Sequence, residues 1–547
     1  MKLPLPLRDL SSTALLLVGL QLSHLAMAAE PEWVYGVKPG DTLSSISSEY
    51  LTSTKLWPKL QKLNNVADPT RLPPGSKLRL PVALLKREAA AAEVLDAQGK
   101  VTRKPLNGAA EPLTKGARLQ TGDTIETGAD STAALRFVDA SRLLLTPNTS
   151  LTLSEMVLLG KTGIAQTVME LKQGAVDTKV TKQQLPAGRY EIKSRAVNLA
   201  VRGTDFRASV DPTDQVGRSE VLEGAVQASA AGAPVQVAAG FGTSAAPGQA
   251  ARTPVPLLPA LDLKGMSALV ERVPLRFQWP AAAGATRYRA QVFADKTFER
   301  LLLDGVFPSN SAKWVDLPDG RYVLRVRGVD QGGLEGLNAD QEFVLKARPE
   351  PPFISSPVDG GKAYGPEVKL LWSASLAAQA YHVQFSTKPD FSDRMSDITD
   401  LKANEHSVPV QPGKYYWRVA SIAAGQDHGP FSDTQGYTQR KIPESPKSEE
   451  PTMDEKTLAF RWRAGDEGSK YQLQLAKESS FAKPTLEKTL TENQVRIDRP
   501  EPGTYFTRIK TIDADGFAGP FGAAQRVEVP EPPSKPWWLL LLLIPLL

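Results

Sequence analysis

The second half of the chain consists of short runs in which apolar and polar residues alternate, the pattern of strands that bury one face. Clear runs start at Tyr288 (YRAQVF), Tyr381 (YHVQFS) and Tyr471 (YQLQLA). Residues 90–245 show similar alternating runs and no long helical period. Residues 33–81 differ, because two helical patterns lie between two short strands. We therefore expect a multi-domain, mainly all-β protein with one small βααβ module near its start.

Three segments of the second half are copies of one another. Trp279, Trp372 and Trp462 each precede a tyrosine by nine residues, and each copy then has a phenylalanine and a G-x-Y-x-x-R string at matching offsets. This is a tandem repeat with a period of about 90 residues. We expect each copy to be a seven-strand antiparallel sandwich, with its tryptophan between the sheets and the tyrosine of the G-x-Y string at a corner. Proline-rich linkers separate the three sandwich repeats, which we expect at 262–346, 350–440 and 446–529.

These repeats resemble fibronectin type III or immunoglobulin-like modules. The resemblance implies the sandwich fold and says little about function, because such modules serve mostly as spacers or adhesion surfaces. Ligand binding by the repeats is the alternative to a spacer role.

Residues 33–81 carry the sharpest motif. The string Y-x-V-x-x-G-D-T-L-x-x-I from Tyr35, the central Asn64 and the closing L-x-P-G-x-x-L-x-L-P from Leu72 resemble the LysM module. The resemblance implies a shallow groove between two loops that binds N-acetylglucosamine-containing glycans, chiefly peptidoglycan. The matching positions here are Gly40, Asp41, Thr42 and Leu43 in one loop, and Asn64, Asn65 and Val66 in the other. The alternative is that the glycine, aspartate and asparagine serve turn and cap geometry alone.

Residues 90–245 contain five strings in the order found in the FecR domain, which this region resembles. They are G-D-T-I-x-T-G-x-x-S from Gly122, F-x-D-x-S from Phe137, V-R-G-T-D-F from Val201, V-L-E-G-A-V from Val221 and A-A-G ending at Gly240. The resemblance implies an all-β domain. Family members are often iron-signalling proteins with a cytoplasmic anti-sigma segment and a membrane helix before this domain. A LysM-like module and a signal peptide stand in those places here, so we do not expect direct control of a sigma factor.

The string V-R-G-T-D-F can be interpreted in physical terms. Apolar residues occupy odd positions up to Val201 and even positions from Phe206 onward. A strand cannot change parity without an extra residue, so Arg202, Gly203 and Thr204 are expected to form a β-bulge, with the glycine in an unusual torsion. The alternative is that these three residues, Arg202 above all, contact a partner.

Composition excludes several kinds of chemistry. The 547 residues include no cysteine, so disulfides, thiolate metal sites and cysteine nucleophiles are excluded. There are only four histidines, and no G-x-S-x-G elbow, H-E-x-x-H pair or phosphate-binding glycine loop. We therefore expect no catalytic residues, no metal and no cofactor. The net charge of +5 is too dilute over this length to indicate nucleic acid.

Both ends of the chain are apolar. Residues 1–28 are interpreted as a cleaved signal peptide, because Lys2 and Arg8 precede an apolar run and an Ala-Met-Ala cleavage pattern. This predicts export to the periplasm or cell envelope; an uncleaved anchor is the alternative. Residues 530–547 form a proline-rich linker and an apolar tail about half as long as a spanning helix. We expect the tail to contact a membrane, with a frayed terminus or truncation at residue 547 as alternatives.

Taken together, these patterns predict a non-catalytic, peptidoglycan-binding envelope protein that tethers or scaffolds a periplasmic or membrane assembly. Its second partner would be an envelope protein that the sequence does not identify. The main alternative is a periplasmic signal sensor that acts through the FecR-like domain. A third hypothesis is that the protein is a cell-wall hydrolase or a hydrolase accessory, because LysM-like modules often accompany such enzymes.

Overall fold

The computed structural model describes residues 31–182 and 187–531. The predicted signal peptide and the apolar part of the tail lie outside the described residues. The chain divides into two compact units at Lys346 and Ala347. The first unit holds the small N-terminal module (the head), the FecR-like domain and the first sandwich copy, and the second unit holds the other two copies. The expected multi-domain, mainly all-β fold is confirmed.

The head has the predicted order of strand, helix, helix and strand. Strand β1 and strand β2 pair antiparallel, and the two helices pack their apolar faces on this pair. Leu43, Ile46 and Leu60 of the helices are fully buried against Leu78 and Leu80 of β2. The elements are β1 (Glu32–Gly36), α1 (Leu43–Tyr50), α2 (Trp57–Asn64) and β2 (Lys77–Pro81), with short 3-10 turns at Thr54–Leu56 and Val82–Leu84.

The FecR-like domain is built from two mostly antiparallel sheets that enclose one apolar core. The first sheet has the order β6-β5-β8-β11-β12-β13-β14-β17-β18, with β3 also paired to β11. The second has the order β7-β4-β9-β10-β12-β15-β16-β19-β20. The strands are β3 (Arg87–Ala89), β4 (Ala92–Gln98), β5 (Val101–Lys104), β6 (Glu111–Pro112), β7 (Arg118–Leu119), β8 (Thr124–Thr127), β9 (Thr132–Arg136), β10 (Arg142–Leu145), β11 (Ser150–Leu159), β12 (Ala165–Lys179), β13 (Arg189–Lys193), β14 (Asn198–Val201), β15 (Asp205–Val210), β16 (Gly217–Glu223), β17 (Ala225–Ser229), β18 (Val235–Ala238), β19 (Phe241–Ala245) and β20 (Val255–Pro256), with a 3-10 turn at Gly160–Thr162.

Strand β12 belongs to both sheets. Its residues up to Gln173 pair in the first sheet, and Gly174–Lys179 pair in the second. Gly174 lies at the corner with φ +88°, and a Cβ at this position would lie 2.5 Å from the Cα of Thr149. Only glycine fits such a corner, because the torsion is left-handed and the neighbouring backbone is too close for a side chain.

The parity change at Arg202–Thr204 has a different cause from the one expected. The residues on its two sides form separate strands in different sheets, β14 in the first and β15 in the second, rather than one bulged strand. Gly203 does adopt a positive φ, +96°, and a Cβ there would lie 2.5 Å from the Cα of Lys182. The parity changes because the chain crosses between sheets, which reverses the side that faces the core. The irregularity in pairing that does occur lies next to it, between Asp205 and Phe206 on β15.

The head is packed on the FecR-like domain. Leu159 and Ile164 of that domain are buried within the apolar core of the head. Lys86 donates its backbone N–H to the carbonyl of Tyr50, and Lys161 lies 3.0 Å from the carboxylate of Glu49. The apolar core of the head therefore extends onto the FecR-like domain, so the two modules are packed together rather than joined by a flexible linker.

The three sandwich copies differ in strand count. The first has seven strands, in a five-stranded sheet and a pair, and the third has seven, in sheets of three and four. The second has nine, in sheets of three and six. The strands are β21 (Leu269–Val270), β22 (Leu275–Gln278), β23 (Arg287–Phe293), β24 (Leu301–Phe307), β25 (Ser311–Trp314), β26 (Gly320–Val329) and β27 (Ala339–Leu345) in the first copy; β28 (Ile354–Ser356), β29 (Lys362–Tyr364), β30 (Glu367–Trp372), β31 (Ala380–Ser386), β32 (Arg394–Leu401), β33 (Glu405–Pro409), β34 (Gly413–Ala423), β35 (Asp427–Phe431) and β36 (Gln435–Arg440), with a 3-10 turn at Ala424–Gln426, in the second; and β37 (Thr452–Met453), β38 (Thr457–Arg461), β39 (Lys470–Ala476), β40 (Leu486–Leu490), β41 (Gln494–Asp498), β42 (Gly503–Ile512) and β43 (Gln525–Val529) in the third.

The expectation of seven antiparallel strands therefore holds fully only for the third copy. In the first two copies a short early strand pairs in parallel with the last strand, β21 with β27 and β29 with β36. Pro274 follows β21, and Pro357 separates β28 from β29. Proline has no N–H to donate to a ladder, so the chain leaves one sheet at this point and joins the other.

Two internal contacts recur in all three copies, and a third recurs in the first two. The tryptophan and the first tyrosine meet ring edge to ring face with centroids 5.4–5.8 Å apart. The hydroxyls of Tyr322 and Tyr415 donate to backbone carbonyls four residues upstream, at the predicted corner. Phe298, Phe391 and Phe481 all have positive φ, and an arginine guanidinium lies 3.8–4.1 Å from each ring centroid. A cation–π contact thus accompanies an unusual backbone torsion at the same position of every copy.

Among the residues that the structure describes, no helix combines the length and the apolar character that crossing a bilayer requires.

Candidate functional site

The first loop of the head lies between β1 and α1. Gly40 turns it with φ +88°, and the space where a Cβ would stand is open. The carboxylate of Asp41 accepts hydrogen bonds from the Tyr35 hydroxyl (2.8 Å) and from the backbone N–H of Lys38 (2.7 Å). Burial raises the pKa of the Tyr35 hydroxyl, and the hydrogen bond to Asp41 raises it further. Asp41 therefore fixes the shape of this loop through its own side chain.

The next two predicted site residues begin the helix. Thr42 caps α1, because its hydroxyl accepts from the Ser45 backbone N–H (3.0 Å) while the Ser45 hydroxyl accepts from the Thr42 backbone N–H (2.9 Å). This reciprocal pair satisfies two backbone donors at the helix start. The side chain of Leu43 is fully buried in the core of the head. Thr42 therefore fixes the start of α1, whereas Leu43 packs in the core beneath it.

The other predicted group ends the second helix. The amide of Asn64 donates to the carbonyls of Leu60 (2.9 Å) and Arg79 (2.8 Å), and its oxygen accepts from the Arg79 backbone N–H (2.7 Å). Asn65 has a left-handed φ of 50° at the helix end, and the Val66 backbone N–H donates to the Gln61 carbonyl. The Asn64 side chain thus closes the end of α2 with one hydrogen bond and joins this helix to β2 with two.

A different segment lies beside the first loop. The backbone N–H of Leu43 donates to the carbonyl of Pro69 (2.9 Å), so residues 40–42 and 68–70 run side by side. Asp68 folds this second segment into a tight turn by accepting from the backbone N–H (2.8 Å) and hydroxyl (2.6 Å) of Thr70. The hydrogen bond from the Thr70 hydroxyl lowers the pKa of the exposed Asp68 carboxyl. We call the surface between residues 38–42 and 68–71 the loop groove.

The sequence motifs predict only one side of the loop groove. The Asp-Pro-Thr string at 68–70 carries a turn signal that could have drawn attention to the other side, because an aspartate often accepts from the residue two positions later. The second predicted group, at residues 64–66, precedes this turn and terminates the helix. No described group of three or more His, Asp or Glu side chains is placed to hold a metal ion.

The other predicted site lies at the crossing between the two sheets of the FecR-like domain. Arg202, Gly203 and Thr204 border an open groove of about 780 Å³, together with Arg189 and Glu191 of β13. The Thr204 hydroxyl donates to the carbonyl of Ala225 at 3.0 Å. Burial raises the pKa of Glu191, but the hydrogen bond and charge of Arg189 outweigh burial and lower it. The three residues therefore stand together at a polar groove, and Gly203 has a structural role there as well.

The fold defines a multi-domain protein that joins a small βααβ module to a two-sheet domain and tandem sandwiches. Residues 35–81 match the family model described as LysM domain, and residues 123–227 match the one described as FecR protein. The chain therefore contains a LysM domain and a FecR domain, as the sequence motifs predicted.

Comparisons with individual proteins cover parts of the chain. An uncharacterized protein of Deinococcus radiodurans is 44% identical over 48 residues, which are 9% of this chain and 19% of that protein. The chicken CNTN1 FN1–FN3 domains are 17% identical with a TM-score of 0.25, over 47% of this chain and 94% of theirs. The fibronectin(III)-like modules of Clostridium thermocellum CbhA are 12% identical with a TM-score of 0.23, over 32% of this chain and 93% of theirs. At these TM-scores the structural likeness carries no inference about this chain.

Proposed function

We propose that this chain is a non-catalytic, peptidoglycan-binding protein of the bacterial cell envelope. LysM domains bind peptidoglycan or chitin-like glycans. The observation that carries the proposal is the LysM match over residues 35–81 together with the hydrogen bond from Leu43 to Pro69, which holds two exposed loops side by side. Glycan binding is thus assigned to the loop groove.

The chemistry of the loop groove suits an uncharged sugar. Pro39, Gly40 and Thr70 are exposed and uncharged, and the two basic residues of the groove are matched in number by two aspartates, so the groove carries no net charge. An N-acetyl group needs a few hydrogen-bonding partners and an apolar contact for its methyl group, and sites of this kind combine both. Asp41 and Asp68 are engaged in shaping the two loops.

The proposed role beyond glycan binding is to tether. The head shares its core with the FecR domain through Leu159 and Ile164, so a glycan held in the loop groove is fixed relative to that domain. A flexible linker would leave the two parts free to move independently. We propose that the protein positions an envelope assembly at the cell wall in this way.

The test is sedimentation of the purified chain with peptidoglycan sacculi. Thr70→Glu adds bulk and charge inside the loop groove and is expected to weaken binding at least roughly tenfold. Thr54→Glu makes the same change at an exposed residue at the opposite end of both helices, about 12 Å away along α1, and is expected to bind as the wild type does. Failure of the wild-type chain to sediment with sacculi contradicts the proposal, and equal binding by both variants contradicts the assignment to the loop groove.

The same preparations address the hydrolase alternative. A zymogram with embedded peptidoglycan reports lysis directly, and the proposal expects no cleared band and no released muropeptides. Clearing by the wild-type chain would replace tethering with cell-wall hydrolysis as the function.

A second candidate function is signal sensing through the FecR domain. It is favoured by the family match over residues 123–227 and by the groove of about 780 Å³ beside Arg202 and Gly203. A photo-crosslinking residue placed at Arg202 in the full chain would test it, with the exposed Lys369 on strand β30 as the control position. Crosslinking of one envelope protein from Arg202 and not from Lys369 would support sensing, whereas equal patterns from both positions would count against it.

A further inference from the structure

The first sandwich copy packs on the FecR domain through buried charged residues, and we call this contact between the two domains the joint. Arg207 of β15 donates to the carbonyls of Glu335 (2.7 Å) and Gly336 (2.8 Å) and to the side-chain oxygen of Asn338 (3.1 Å). Its side chain is 4% exposed, and its guanidinium lies 3.6 Å from the equally buried carboxylate of Glu220 on β16. A charged group is buried to this extent only when partners replace its water, and the first copy supplies three of the partners.

A second arginine makes the reverse contact. Arg327 of β26, with a side chain 1% exposed, lies 2.9 Å from the carboxylate of Asp177 on β12 and 2.6 Å from that of Glu335. Burial raises the pKa of Glu335, but Arg289 and Arg327 outweigh burial and hold it at about 2, so the carboxylate stays ionised. Each side of the joint therefore contributes charges that the other side neutralises.

Apolar and backbone contacts surround these charges. Ala134 and Leu144 of the FecR domain share an apolar cluster with Phe293, Leu301 and Val323 of the first copy. The hydroxyl of a buried threonine in β9 also donates to the carbonyl of Leu301 at 3.1 Å. The joint thus combines an apolar cluster with buried, charge-assisted hydrogen bonds, as the interior of a domain does.

The residues that make the joint occur in the first copy alone. The spacing that relates Trp279, Trp372 and Trp462 aligns the three copies. At the position of Asn338 the other copies have phenylalanine, at that of Arg327 they have alanine or lysine, and at that of Glu335 they have histidine or alanine. The positions in the second and third copies are Phe431, Phe521, Ala420, Lys510, His428 and Ala518.

The phenylalanines close the corresponding face in the other copies. The guanidinium of Arg418 lies 4.3 Å from the ring centroid of Phe431, and that of Arg508 lies 4.3 Å from the ring centroid of Phe521. Each ring therefore covers an arginine of its own copy. The first copy has Asn338 instead, and the amide oxygen of this residue accepts from Arg207 of the FecR domain.

We propose that the first sandwich copy is the built-in partner of the FecR domain. The outer face of the sheet that contains β12, β15 and β16 binds residues 269–345 of the same chain. The FecR domain and the first copy therefore act as one body. The first copy is then not a spacer, unlike the role that the sequence suggested for all three repeats. An envelope partner of the FecR domain has to bind elsewhere on it, and the groove beside Arg202 remains available.

The test cuts the covalent connection in the full chain. A specific protease site is inserted in the exposed turn between Lys264 and Gly265, and the cut protein is examined by size exclusion at micromolar concentration. The proposal expects the two fragments to elute together. Separation of the wild-type fragments, each still folded by circular dichroism, would overturn it.

Two substitutions test the specialisation of the first copy. Arg327→Ala removes the arginine that pairs with Asp177 and leaves Glu335 with Arg289 alone, and Asn338→Phe installs the residue of the other copies. Each substitution is expected to weaken association of the cut fragments roughly 30-fold or more. Arg321→Ala, at an exposed position of the same strand β26, is the matched control and is expected to change nothing. Asp177→Ala removes a partly exposed partner from the other side, so loss of docking can be separated from misfolding of the first copy. Unchanged association in all three interface variants would refute the assignment.

Discussion

Asn64 offers a direct test of whether a predicted glycan-binding residue binds glycan or supports the fold. Its side chain makes three hydrogen bonds, of 2.7–2.9 Å, one within the last turn of α2 and two to the backbone of β2. Each such bond contributes about 0.5–1.5 kcal/mol net, and water can replace part of it because the site is partly exposed. Asn64→Ala is therefore expected to destabilise the head by about 2 kcal/mol.

The assay is native-state hydrogen exchange followed by mass spectrometry. A loss of about 2 kcal/mol corresponds to roughly 30-fold faster exchange of the amides in α2 and β2, where opening is local to the head. Sedimentation with sacculi at a temperature where the variant stays folded is expected to be unchanged. Asn65→Gly is the control, because glycine suits the left-handed torsion of that residue and exchange is expected to stay within a fewfold of the wild type. Unchanged exchange with lost glycan binding in Asn64→Ala would refute the structural role and make Asn64 a ligand contact.

Three further outcomes are expected. Gly203→Ala should destabilise the FecR domain by roughly 2–5 kcal/mol and lower its Tm, because the added Cβ would lie 2.5 Å from the Cα of Lys182 at a left-handed torsion. Thr70→Val should raise the pKa of Asp68 toward its ordinary value in an NMR titration, since the lost hydroxyl is the main cause of the lowered pKa. At a pH above the pKa that Asp68 has in the unfolded chain, the lowered pKa of this residue stabilises the folded loop. This stabilisation is lost as the pH falls through the pKa that Asp68 has in the folded chain. Tyr471→Phe should cost the third copy about 1 kcal/mol, because its hydroxyl accepts a backbone hydrogen bond of 2.6 Å.

Matched variants separate these causes from general effects of substitution. Gly240→Ala also places a side chain at a left-handed torsion, +81°, but no atom lies within 4 Å of the added Cβ, so only the torsional cost of about 1 kcal/mol is expected. Equal Tm losses at Gly203 and Gly240 would show that crowding at the sheet crossing is unimportant. An unchanged Asp68 titration in Thr70→Val would show that the hydrogen bond is absent in solution.

The repeats could be predicted from sequence because their constraints are local. Alternation decides which side of a strand faces the core, and the fixed offsets of tryptophan and tyrosine bring the two rings together in every copy. The strands that pair in parallel were not predictable from alternation. They depend on where a proline forces the chain to change sheets, as at Pro357.

The candidate site was only half predictable. Gly40, Asp41 and Thr42 carry turn and cap signals, and these residues do border the loop groove. A hydrogen bond from Leu43 to Pro69 joins this loop to residues 68–71. No local pattern in the sequence predicts that hydrogen bond.

The joint between the FecR domain and the first copy could not be predicted from local patterns either. Arg207 alternates with the core residues Phe206 and Ala208, so the pattern assigns its side chain to solvent. The alternation correctly excludes Arg207 from the core of its own domain. It cannot show that another domain covers the position, and the identity of Asn338, Arg327 and Glu335 in one copy alone is the sequence signal that was available.

Strand β12 has a consequence for the order in which the FecR domain can form during synthesis. Because β12 pairs in both sheets and turns at Gly174, neither sheet is complete until this strand has left the ribosome. A nascent chain that ends before Ala165 would leave the edges of β10 and β11 that pair with β12 unpaired together. The first half of the domain therefore has no finished layer until β12 is available to both sheets.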